Sequence, residues 1–246
     1  MIALIALALI GGIGITAIGP GGVLLTVGAT ALTPMAPSAI AGTLLVTHIP
    51  TGILGTAAFT KSGHLTAARS RHLAATLSIA AVAGTPLGVW LNSVLSKSVF
   101  AYLLAALLVI VAATLLWREK LQKREAAPPS LIVVTGVGLI VAVIAGAMGL
   151  GGPMLAVPLL VMLGVPMLTA LATAQVQSIV IASIGSIAYF LAGAISWKYV
   201  LILGLPQLVG VVLGWKVART VPPHILQRVM IGVLIILAPY TVIAST

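Results

Sequence analysis

Long apolar runs, broken at intervals by glycine, proline and short basic loops, occupy nearly all of the chain. Several exceed the roughly 18 residues that suggest a membrane-spanning helix. The pattern predicts long helices at Met1–Ile18, Pro37–Thr60, Ala67–Asn92 and Ser98–Trp117, and again at Leu131–Met148, Met167–Leu191, Tyr199–Ala218 and Ile225–Ile243. Two shorter segments, Val23–Leu32 and Met154–Leu163, each follow a glycine-rich break. One stretch is strongly polar, Arg118–Ser130, and it separates a first transmembrane repeat (1–117) from a second (131–246) as a basic cytoplasmic linker (118–130). No Lys or Arg precedes Met1–Ile18, so this run lacks the charged start of a cleaved signal peptide and reads as the first helix.

The breaks repeat. Gly19-Pro20-Gly21-Gly22 returns 130 positions later as Gly149-Leu150-Gly151-Gly152. The same offset carries Thr43 onto Thr173, Gly55 onto Gly185 and Gly63 onto Gly193. Further on it becomes 126, and Gly84 and Gly88 meet Gly210 and Gly214. A constant offset over such a distance indicates two homologous halves.

Ala3–Leu32 is about 45 Å long if helical. That is too long for one crossing of a 30 Å hydrocarbon core and too short for two. Counted as one broken span, it makes the halves parallel. Counted as a span and a returning half-helix, it makes them inverted, and all Lys and Arg except Lys97 and Lys198 then share one face. The positive-inside rule favours this second count and makes that face cytoplasmic. The expected fold is therefore an all-α polytopic membrane protein built from inverted repeats. Each would hold four long transmembrane helices plus a short half-helix after its break.

Composition narrows the chemistry. Residues are 61% hydrophobic and 6% charged, far from the roughly 25% charged of soluble domains. Twelve Lys and Arg face two acids, Glu119 and Glu125, both in the linker, and there is no Asp. With no carboxylate for the membrane interior, cation carriage and carboxylate proton relays are disfavoured, as are calcium and magnesium sites. There is no cysteine, hence no disulfide or thiolate metal site. No phosphate loop, His-Glu-x-x-His or Gly-x-Ser-x-Gly motif occurs, which argues against an ATPase or a hydrolase. Few aromatics and loop-bound basic residues leave nucleic-acid binding unsupported. The sequence calls for no cofactor and no metal.

Candidate site residues follow from the breaks. A short helix starting after Gly22 or Gly152 offers unpaired backbone N–H groups and a positive dipole end. Two such starts meeting near the midplane would bind an anion without a charged side chain. This nominates Gly19, Gly21, Gly22, Gly149, Gly151 and Gly152; close helix packing by small residues is the competing reading. The helices that follow add Thr43, Thr47 and Thr51 in an i+4 stripe, and Thr173, Gln175, Gln177 and Ser178 in the second half. Hydroxyls and amides suit an oxoanion that must bind and leave. His48 is the only titratable side chain clearly inside a helix, so it could couple an anion to a proton. His64 and His72 flank the basic loop of Lys61, Arg69 and Arg71, and His224 follows two prolines.

The runs Ile18-Gly19-Pro20-Gly21-Gly22-Val23-Leu24-Leu25-Thr26-Val27 and Met148-Gly149-Leu150-Gly151-Gly152-Pro153-Met154-Leu155-Ala156-Val157-Pro158 carry a family resemblance. So do Ala41-Gly42-Thr43-Leu44-Leu45, Ala170-Leu171-Ala172-Thr173, and the glycine loops Phe59–Leu65 and Tyr189–Ile195. The chain resembles the TauE/SafE sulfite-exporter family, also called toluenesulfonate uptake permeases, over about residues 10–243. That resemblance implies transport of sulfur-containing anions such as sulfite and sulfonates, usually outward and driven by membrane potential or protons, in the cell (inner) membrane. Where the family often has three glycines, this chain has Gly-Gly-Val and Gly-Gly-Pro, and Pro20 sits inside the first motif.

The resulting expectation is a secondary anion transporter, not an enzyme, whose partners are a small anionic substrate and the lipid bilayer. Thr43, Thr47, Thr173, Gln177 and Ser178 would line the site between the breaks. An anion channel and a non-transporting assembly or sensor protein are the rival readings. A glycine-rich outer face is compatible with packing against lipid or against a second copy of the chain.

Overall fold

The computed structural model describes residues 1–121 and 129–222, and beyond these Ile225, Arg228, Ile231, Gly232, Ile235, Ile236, Ala238 and Pro239. Among them there is no strand. In chain order the elements are α1 (Ile2–Ala17), a 3-10 turn (Pro20–Gly22), α2 (Val23–Leu32), α3 (Pro37–Lys61), α4 (Ala68–Ser93), α5 (Lys97–Leu121), α6 (Leu131–Met148), α7 (Pro153–Met162), α8 (Met167–Leu191) and α9 (Trp197–Thr220). Most of the linker and most of the predicted helix Ile225–Ile243 lie outside the described residues.

Among the described residues five helices, α3, α4, α6, α8 and most of α9, are long and apolar enough to cross a membrane. Among the described residues the expected four long helices per half are not shown: α1 has 16 residues, and most of the predicted helix Ile225–Ile243 falls outside them. The break at Gly19 is what cuts α1. The half-helices α2 and α7 have 10 residues each, about 15 Å, or half a hydrocarbon core.

Elements at matching sequence offsets make matching contacts. α4 packs on α6, as α9 packs on α1, while α3 and α8 pack on each other. The glycines show the correspondence residue by residue. Gly84 meets Ala142, and Gly210 meets Gly12; Gly88 meets the Val143 carbonyl, and Gly214 meets the Ile13 carbonyl. Gly55 lies under Gln175, and Gly185 lies under Leu45. Each pair maps onto the other under the sequence offsets of 130 and 126. Absent side chains let these backbones touch, and packing is what associates helices in a solvent as apolar as they are.

The contacts also set direction. Gly42 meets Tyr189, Leu45 meets Gly185, Gly52 meets Ile179, and Gly55 meets Gln175. Rising numbers on α3 therefore pair with falling numbers on α8, so the two run antiparallel. Large apolar side chains such as Ile2, Ile79, Trp90, Ile132 and Leu191 face outward, as lipid contact requires.

Candidate functional site

Each break is built by local rules. α6 ends where Gly149 turns left-handed (φ 68°), and the Gly149 and Leu150 N–H groups both return to the Ala145 carbonyl. Pro153 then opens α7 at its first position, where a missing N–H costs nothing. In the first half, the Ile18 and Gly19 N–H groups return to the Gly14 carbonyl, and Gly19 takes φ 115° before the Pro20–Gly22 turn feeds α2. Both motifs are fully buried.

The two breaks come together at the centre of the molecule. A Cβ on Gly22 would stand 3.8 Å from the Gly151 nitrogen, and one on Gly19 would stand 2.9 Å from the Pro153 carbonyl. Between the motifs lies the imidazole of His48, from α3. It is 3.2 Å (Cε1) from the Gly22 Cβ position and 3.6 Å (Nδ1) from that of Gly151. Ser178 of α8, the offset partner of His48, sits on the other side. Its Oγ accepts the Gly152 N–H at 3.3 Å.

Gln207 of α9 completes the cluster, and sequence reasoning missed it. It is fully buried, with Nε2 at 3.0 Å from His48 Nδ1. With the amide nitrogen donating, Nδ1 accepts and the ring proton sits on Nε2. The Gly149 carbonyl reaches toward the ring, yet Nε2 has no hydrogen-bond partner among the described residues. Gln207 Oε1 is likewise buried and unpaired there. The available signal was an amide directly after Pro206, inside an otherwise apolar helix. Leaving buried polar atoms unpaired costs free energy, so such groups need an explanation.

The remaining nominated residues are dispersed. Thr43 Oγ1 accepts the Ser196 N–H in the α8–α9 connection, 2.9 Å away. Thr47, Thr51 and Thr173 donate back to carbonyls of their own helices. Gln177 Nε2 donates to the Gly138 carbonyl of α6 at 3.0 Å, and Gln175 packs against Gly55. Gly21 presses on α1 at Gly11 and Ile15, and Gly149 on Ala41. The structure thus gathers Gly22, Gly151, Gly152, His48 and Ser178, and gives the threonine stripe and Gln177 to helix contacts. His224 lies outside the described residues. No group of three His, Cys, Asp or Glu suited to a metal occurs among the described residues.

Two more side chains hold the second break. Tyr189 Oη donates to the Gly146 carbonyl at 3.0 Å, and Asn92 Nδ2 donates to the Ala147 carbonyl at 2.6 Å. These are final-turn carbonyls that a helix end leaves without partners.

No curated protein and no solved structure matches the chain. A family match does exist: residues 4–241 match the sulfite exporter TauE/SafE family. With that family and five helices among the described residues long and apolar enough to cross a bilayer, this is an integral membrane protein. Over nearly its whole length, the chain belongs to the sulfite exporter TauE/SafE family of membrane transporters.

Proposed function

We propose that the protein is a secondary transporter, and not an enzyme, that exports small sulfur-containing anions such as sulfite or sulfonates from the cell across the inner membrane. The observation that carries this reading is the meeting of Gly22 and Gly151 around His48, Ser178 and Gln207. Two half-helix starts bring positive dipole ends to one point. His48 Nε2–H adds a donor with no partner among the described residues. An oxoanion accepts hydrogen bonds and is the ligand such a donor set suits. His48 is also the group through which a proton could accompany the anion.

Equivalent helices α3 and α8 run antiparallel, so a two-fold axis relating them lies in the membrane plane. This supports inverted halves, 1–117 and 131–246. With inverted halves, Lys61, Arg69 and Arg71 would lie on the cytoplasmic face by the positive-inside rule. The buried state of both motifs favours alternating access over an open channel, in which their residues would be wetted. The membrane potential would assist export by about 2.3 kcal/mol per charge per 100 mV.

The test is uptake of labelled sulfite into proteoliposomes, with and without an inside-positive potential, competed by sulfonates and carboxylates. Saturable uptake inhibited by sulfonates supports the proposal. No uptake by potential, proton gradient or counterflow, from folded protein, overturns it.

A further inference from the structure

A cavity with one polar wall lies away from the central cluster. It measures about 440 Å³ and opens between the first turns of α4, α6 and α8. Ala67, Arg69, Ser70, His72 and Leu73 form one wall; Pro129, Leu131 and the segment Val165, Pro166 and Thr169 form the others. We infer that this cavity binds an anionic phospholipid, with the headgroup phosphate held by Arg69, Ser70 and His72 and the acyl chains lying along the apolar start of α6.

Four observations carry the inference. First, three helix starts converge on one cavity, and only α6 is closed by its own cap, Ser130 accepting the Val133 N–H at 3.4 Å. No side chain caps α4 or α8, and neither has an acid in its first turn. Their leading N–H groups therefore favour an anion.

Second, Ser70 is 94% buried, 6% being exposed, yet it lines the cavity and its hydroxyl has no hydrogen-bond partner among the described residues. A hydroxyl that a mostly buried residue turns to an open cavity can both donate to and accept from a ligand there. Third, Arg69 and His72 are exposed side chains on the same wall, and among the described residues no acidic side chain lines the cavity.

Fourth, the rest of the lining is apolar, and it continues into Leu131 and Ile132, which are 62% and 86% exposed at the start of α6. A free phosphate or sulfonate would gain nothing from that apolar wall. A lipid uses both the basic end and the apolar one, as basic pockets between transmembrane helices do for anionic headgroups.

Native mass spectrometry of the full-length protein in detergent tests this, titrated separately with phosphatidylglycerol, phosphatidylcholine and inorganic phosphate. Retention of phosphatidylglycerol above phosphatidylcholine is expected. Arg69→Gln should weaken it about fivefold, the usual worth of one basic residue near a membrane surface. Ser70→Val should also weaken it, whereas Arg69→Lys should retain most of it. Thermal unfolding of each variant, unchanged without lipid, separates lost binding from misfolding. Equal retention of both lipids, wild-type retention by both Arg69→Gln and Ser70→Val, or inorganic phosphate displacing the lipid at equal concentration would each overturn the assignment. None of these readouts depends on sulfite transport.

Discussion

The two breaks share a sequence offset and a place at the centre, yet they are held very differently. At the second, the carbonyls of Ala145, Gly146 and Ala147 all receive donors, from the turn itself, Tyr189 and Asn92. Ser178 then takes up the Gly152 N–H. The positions equivalent to Tyr189 and Asn92 are Phe59 and Ala218, which have no side-chain donor. Where the second half has Ser178, the first has His48, with Nε2 unpaired among the described residues. The second break is a clamped frame. The first carries a buried ring nitrogen that no described group takes up. On the proposed function, one break would hold geometry while the other responds to the anion.

The largest expected effect tests the frame. Gly149→Ala puts a side chain at φ 68°, with its Cβ 2.5 Å from the Ala41 Cα. The left-handed conformation alone costs about 1–2 kcal/mol, and the backbone contact adds to it. Gly63→Ala is the matched control, since Gly63 has φ 82° but nothing within 4 Å. Unfolding in detergent should show a much larger loss for Gly149→Ala; equal losses would mean the close approach to Ala41 does not exist.

Transport comes next. His48→Ser gives the first break the side chain of the second. It should lower sulfite flux at least about tenfold, as expected for loss of about 1.4 kcal/mol of binding or transition-state stabilisation, with little change in unfolding. Gln207→Leu should act in the same direction by releasing the ring. Wild-type flux in both variants would show that the free donor is idle.

A smaller effect comes from making the second break resemble the first. Tyr189→Phe combined with Asn92→Ala removes two hydrogen bonds, each worth about 0.6 kcal/mol in a membrane protein. Stability should fall by about 1 kcal/mol in total, and amide exchange should quicken at the end of α6. Exchange that quickens instead at Gly14–Ala17 would reverse the assignment of frame and responder. Ser178→Ala is the mildest change. It should cost about 0.5–1 kcal/mol, the typical net worth of one hydrogen bond, and a larger loss of flux than of stability would move Ser178 from the frame to the ligand.

Much of this architecture could be read along the chain. Val23–Leu32, Leu131–Met148 and Met167–Leu191 have the ends that apolar runs and glycine or proline punctuation predict. The glycines at the two offsets mark real and reciprocal contacts. The threonines illustrate what could not be read. An i+4 stripe places Thr43, Thr47 and Thr51 on one side of α3, but Thr47 and Thr51 satisfy themselves on their own helix and Thr43 caps a distant connection. Hydroxyls in a membrane find the nearest carbonyl, and no spacing rule says whether a ligand is nearer.

By itself the sequence determined that the chain is helical, apolar and interrupted at two points 130 positions apart, and it identified the family. Those properties rest on local periodicity, glycine and proline geometry, and composition, which each stretch of chain carries alone. Only the tertiary structure decided that the two interruptions meet, that His48 rather than the threonines stands between them, and that Gln207 holds it. It also separated the clamped break from the free one through Tyr189 and Asn92. Those outcomes depend on which backbone groups are left without partners once the helices are packed, and that is set by the whole assembly of helices at once.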